Sequence, residues 1–97
     1  MRVEYHPDTV ADLNDSIDYY DRQRVGLGSE LRDEIYKAVD RIVANPLINH
    51  RIEGEIRRSF VHRFPFSVLY RLVDDETIRI LVIRHHRRHP GFGLHRE

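Results

Sequence analysis

Cysteine is absent from the chain, and that one absence excludes a disulfide scaffold, a thiolate metal site and a cysteine nucleophile together. Long apolar runs are missing too: nothing approaches the roughly 18–20 residues that a membrane span needs. The first residues carry Glu4, Asp8 and Asp12, where a signal peptide would be basic or apolar. No repeat, low-complexity linker or second composition zone interrupts the 97 residues. The expectation is therefore one cytoplasmic domain over residues 1–97, without a membrane partner. A chain of this size holds one modest core and no separate catalytic lobe.

What is present is charge, unevenly laid out. The formal net charge is zero, yet residues 1–50 hold six Lys or Arg against ten acids, and residues 51–97 hold ten Arg against six. From Arg57 to Val73 there are four arginines and no acid; from Thr77 to Arg96 there are five arginines, four histidines and again no acid. Lysine is missing from this half altogether. Arginine is the better fork for phosphate and carboxylate alike, so the asymmetry points to a nucleic acid or an acidic protein partner.

Periodicity supplies the elements. Met1–Tyr5 reads as a short strand. Val10, Leu13, Ile17 and Tyr20 recur at helical spacing through about Arg22, with Asp8, Asp12 and Asp15 expected on the opposite side. Gly26 and Gly28 break that helix. A second runs from Leu27 or Ser29 to Ala44, striped by Leu31, Ile35, Ala38, Val39 and Ile42 and stopped by Asn45-Pro46. Ile56–Val61, Phe66–Val73 and Thr77–Arg84 read as strands, the last two a hairpin through Asp74-Asp75-Glu76. Alternation in the last strand sets Ile78, Ile80 and Val82 on one side and Arg79, Leu81 and Ile83 on the other. Apolar residues on both sides imply a middle strand, one face under the helices and one lining a shallow groove. By the same spacing Tyr5, Tyr20, Tyr36 and Phe60 are expected in the core. The fold class is α/β of the α+β kind: strand–helix–helix–three strands, with an αα-hairpin on one face of a small, mostly antiparallel sheet.

The tract Arg84-His85-His86-Arg87-Arg88-His89 follows directly on that middle strand. Histidine titrates near neutrality and arginine neutralises phosphate, so the tract offers a binding or acid–base site. A solvated basic tail is the plainer alternative, but such a tail would more often use lysine and would not continue a buried strand. The same histidines do not make a metal site: on a strand His85 and His86 point to opposite faces, and no carboxylate lies nearby in sequence. No cofactor is expected. Arg57, Arg58, Arg63 and Arg71 lie on or beside the neighbouring strands, placed either to converge with the tract or to pair with the acidic helices. His62 reads as a partly buried strand histidine. None of the serines sits in a nucleophile elbow, and Gly26-Leu27-Gly28 lacks the lysine of a phosphate loop.

His6-Pro7 opening an acidic helix, Asp18-Tyr19-Tyr20, Gly26-Leu27-Gly28, Asn45-Pro46, Arg63-Phe64-Pro65-Phe66, Tyr70-Arg71 before an acidic turn, and His85-His86-Arg87-Arg88 with Pro90 occur in this order. As an ordered set across nearly the whole chain, they resemble the RelE/ParE superfamily of toxins from bacterial type II toxin–antitoxin pairs, above all its ParE-like branch of plasmid stabilisation proteins. The resemblance implies a toxin that arrests growth when free and a cognate antitoxin that wraps it. It also implies one of two targets: DNA gyrase for the ParE kind, mRNA on the ribosome for the RelE kind. Arg87, Arg88, His85 and His86 would be the catalytic candidates. Arg63, Arg71 and Arg84 would contact the target or nucleic acid, and Leu69, Leu81 and Ile83 the antitoxin. The mRNA-cutting members commonly carry a basic residue early in the third strand, where this chain has Ser67, and a tyrosine near the carboxyl end, where the nearest aromatic here is Phe92. A non-catalytic nucleic-acid-binding module and a degenerate toxin that only binds its antitoxin are the remaining alternatives.

Overall fold

A computed structural model describes residues 1–97. The elements are β1 (Arg2–Tyr5), α1 (Thr9–Gln23), α2 (Leu27–Ala44), β2 (Arg51–Glu53), β3 (Ile56–Phe60), β4 (Phe66–Asp74) and β5 (Thr77–His85). They build one five-stranded sheet in the order β1-β5-β4-β3-β2, with β1 parallel to β5 and every other pair antiparallel. The helices and the three long strands fall where periodicity sets them. The short edge strand β2 was not expected; its three residues are too few to show a period of two.

The turn between the helices needs both of its glycines. Gly26 lies at φ +89°, a left-handed conformation that a side chain strains. At Gly28 a Cβ would strike the Ile17 carbonyl, so its hydrogen atom lets α2 start hard against α1. Its amide donates to Asp21 Oδ1 at 2.8 Å. At the far end of α2, the Asn45 amide closes the last turn on the Arg41 and Ile42 carbonyls.

The main core joins α2 to the sheet. Leu31, Ile35, Ala38 and Ile42 from the helix are fully buried against Val68, Tyr70, Ile78 and Ile80. Each of the Leu, Ile and Val side chains among them contributes roughly 1.5–3 kcal/mol by leaving water. From α1, Leu13 and Tyr20 pack on this cluster half-buried, whereas Val10 is exposed. Tyr5, Tyr36 and Phe60, expected in the core, are 44%, 46% and 54% exposed. Each has the right spacing but no apolar layer covers it; Phe60 meets only the Arg58 guanidinium, 4.7 Å from its centroid, and the His86 ring.

A bulge corrects the expected alternation in β5. Leu69 faces Val82 and the next residue, Tyr70, faces Ile80, so Leu81 is the extra residue. Parity flips there. Ile83 joins Ile78 and Ile80 beneath the helices, and Leu81 and Val82 both join the cluster on the opposite face. That second cluster, with Ile56 and Leu69, is covered by Phe92 and Leu94 of the chain's own tail and by Ile52. The open groove expected on this side is therefore filled.

Candidate functional site

Strand β1 ends at Tyr5, opposite Ile80, while β5 runs on to His85. The unpaired stretch needs partners for its backbone. Asp12 of α1 accepts the Ile83 amide on Oδ2 at 3.2 Å, and Arg96 donates to the Leu81 carbonyl at 2.9 Å. The two side chains also meet, at 2.7 Å and 3.2 Å between their paired atoms. This bidentate pair is buried, with 8% and 7% of the side chains exposed. Asp12 thus points to the sheet edge, not to the solvent side expected of it. Neither residue could be found from sequence spacing, because 84 positions separate them.

Just beyond this seal lies an open cleft of about 760 Å³, walled by Asp15, Tyr19 and Arg22 on α1 and by His85, Arg87 and Arg88 on the tract. The tract leaves β5 in a turn in which the Arg88 amide bonds the His85 carbonyl at 3.0 Å. His85 Nδ1 accepts the Arg87 amide at 2.9 Å, so the neutral ring carries its proton on Nε2. Burial first, and then the positive charges of Arg87, His86 and Arg88, hold the His85 pKa below its usual value. Its ring sits edge-on to Phe66, with centroids 5.2 Å apart. His86 points the other way, edge-on to Phe60 at 5.5 Å, with Nε2 3.0 Å from Ser67 Oγ.

The expected site residues separate into those left free and those already engaged. Arg87 is exposed and makes no side-chain bond or ion pair; Arg88 lies over Phe92 at 4.8 Å. Arg84 is turned to the tail, one nitrogen donating to the Pro90 and Phe92 carbonyls, both at 2.8 Å. Burial and the nearby charge of Arg58 lower its pKa. Arg63, at φ +70°, pairs with Glu30 at 2.8 Å, and Arg24 meets the same carboxylate at 2.9 Å. These two hydrogen bonds hold the exposed Glu30 carboxyl below its usual pKa. Arg71 donates to the Glu97 carbonyl at 2.9 Å. Arg63 and Arg71 therefore do not converge with the tract. Leu69, Leu81 and Ile83 offer no open surface, since all three are buried, Ile83 under the helices and the other two under the tail. Tyr19, 54% exposed in the cleft, was missed as a site residue; only its place among the aspartates of α1 hinted at it.

The cleft thus presents a free guanidinium, an imidazole neutral near pH 7 and a phenol. These can hold an anion or donate hydrogen bonds to one. No group of three His, Asp or Glu side chains is placed to share a metal ion.

The family model for the ParE toxin of type II toxin–antitoxin systems matches residues 3–90. The chain belongs to the ParE toxin family. Its fold agrees with that of a solved structure described as the chromosomal ParDE TA system from P. aeruginosa, with a TM-score of 0.75 and 25% sequence identity. The superposition covers 88% of this chain and 95% of that one. No curated protein matches. As a ParE-family toxin the chain has an antitoxin for a partner. The family match ends at Pro90, before the tail residues Phe92, Leu94 and Arg96 that close the second face. No helix of this ParE-family chain is long and apolar enough to cross a membrane.

Proposed function

We propose that this toxin arrests growth by acting on DNA gyrase and does not cut mRNA on the ribosome. The observation that carries the reading is Ser67. It stands where mRNA-cutting relatives carry a cation, and it is 2% exposed and hydrogen-bonded to His86. A buried hydroxyl brings neither charge nor reach, and losing one donor to a transition state typically costs about 10²–10³ in rate. Two further positions support it. Arg84 is engaged with the tail carbonyls, and Phe92, beneath Arg88 and Arg96, has no hydroxyl to give a proton. Arg87, free at the mouth of the cleft, is the group best placed to meet a protein target. An antitoxin that contacts Leu69 and Leu81 must first lift Phe92 and Leu94.

The test sets a gyrase supercoiling assay beside cell-free translation, each with purified toxin. Gyrase inhibition is expected without cleavage of ribosome-bound mRNA. Arg87→Ala should weaken the inhibition by about tenfold, the scale of one lost charged hydrogen bond. Cutting of mRNA in the ribosomal A site, abolished by Arg87→Ala, would overturn the reading in favour of a RelE-like nuclease.

A further inference from the structure

Among the unpaired edges of this sheet are three at its two sides: the outer side of β2, the end of β5 beyond Ile80, and the outer side of β1. Exposed strand edges template pairing with other chains, so folded proteins usually block them. Two of the three are blocked here. The end of β5 is sealed by Asp12 and Arg96. Strand β2 has three residues and loses register with β3 between Arg51 and Glu53, which spoils it as a template.

β1 is short as well, at four residues, but its register is unbroken and no side chain caps its outer edge. Its register with β5 is regular from Arg2↔Thr77 to Tyr5↔Ile80, and no proline or bulge interrupts it. The Arg2 amide bonds the Glu76 carbonyl at 2.7 Å and the His6 amide bonds the Ile80 carbonyl at 2.8 Å. Strand alternation therefore turns the amides and carbonyls of Val3 and Tyr5 outward, where nothing meets them. Beside this edge two aromatic rings are left about half uncovered, Tyr5 and its close neighbour Tyr36 of α2.

The short sequence Arg2-Val3-Glu4-Tyr5 is complementary to itself when run antiparallel. Centred on Val3, it places Val3 opposite Val3 and exchanges two backbone hydrogen bonds. The same register sets Arg2 opposite Glu4 twice, on the sheet face where those side chains already lie 3.6 Å apart within one chain. We infer that β1 is a self-association edge, joining the sheets of two copies of this toxin through antiparallel β1–β1 pairing about Val3. The contact is short and offers little apolar area, so the dimer forms at high concentration and dissociates on dilution.

Sedimentation of the purified toxin over a concentration series tests this, alongside three variants. The wild-type average mass should climb from one chain towards two. Arg2→Glu puts like charges opposite each other twice and should weaken association by about tenfold. Adding Glu4→Arg to it restores opposite charges in the same register and should restore the dimer. Val3→Pro removes the central amide at an edge that tolerates proline and should leave a monomer with unchanged circular dichroism. A wild-type chain monomeric up to about 1 mM, or Arg2→Glu associating as well as wild type, would overturn the inference. So would protection of the Val3 amide from hydrogen exchange only when antitoxin is bound, which would assign the edge to the antitoxin.

Discussion

The helix-covered face of the sheet is closed by aliphatic volume, with 13 buried residues in one cluster, whereas the opposite face has four and is closed by a tail that arginines hold down. On the first face the contacts are non-directional and numerous. On the second, Arg84 grips the carbonyls of Pro90 and Phe92, and Arg96 grips Asp12 and the Leu81 carbonyl. Charged hydrogen bonds of this kind contribute about 1.5–3 kcal/mol each, but only while both partners are in place. The second face is therefore the one that a single substitution can open.

The largest effect follows from separating Asp12 and Arg96. Asp12→Ala should destabilise the fold by about 3–5 kcal/mol in urea unfolding, because it strands a buried guanidinium and orphans the Ile83 amide. Asp12→Leu combined with Arg96→Met should recover much of that loss, since an apolar pair replaces an ionic one without a desolvated charge. A double variant no better than the single would show that the edge bonds to Ile83 and Leu81 matter more than the pair itself.

These two faces were also unequally legible in the sequence. Residues such as Leu31, Ile35, Ala38 and Ile42 announce a helix face, because a period of 3.6 is a local property and apolar burial needs no particular partner. The hairpin and the interior position of the last strand followed in the same way, whereas its parallel pairing with β1 did not. The second face depends on matches between distant groups. Nothing near Asp12 or Arg96 marks them as a pair, and the bulge at Leu81 is a choice of register that the alternating pattern conceals. That one slip moved Ile83 from the expected groove into the core. The tract at the end of β5 was recognisable by composition, yet which arginines are free in it was not: Arg84 and Arg87 look alike in sequence, and only the fold turns one to the tail and the other to the cleft.

An intermediate effect measures how much apolar packing each face supplies. Ile80→Ala, in the main core, should cost about 2–5 kcal/mol, as fully buried aliphatic truncations do. Leu94→Ala, half-buried in the tail, should cost only about 1 kcal/mol. It should also raise hydrogen exchange at the Leu81 and Val82 amides while leaving those of α2 unchanged. Equal destabilisation by the two variants would mean that the tail is as firmly packed as the core, and that the two faces do not differ in this way.

The smallest effect concerns His85, at the point where the helix-side face opens into the cleft. Burial and the cations Arg87, His86 and Arg88 depress its pKa on folding. The unfolded chain, whose imidazole titrates near the ordinary value of about 6.5, then takes up the proton more readily than the folded one. Stability from this group is complete above that unfolded value, and it declines as pH falls through it towards the lower folded pKa. His85→Asn cannot titrate, and its Oδ1 takes the place of Nδ1 as acceptor of the Arg87 amide, so it removes the titration while keeping the local bond. Urea midpoints at pH 7.5 and pH 5.5 should therefore fall less for the variant than for the wild type. If both chains lose the same amount on acidification, His85 is no more reluctant to protonate in the folded state than in the unfolded one. Its neutral Nε2 proton would then no longer be a property the cleft maintains below neutrality.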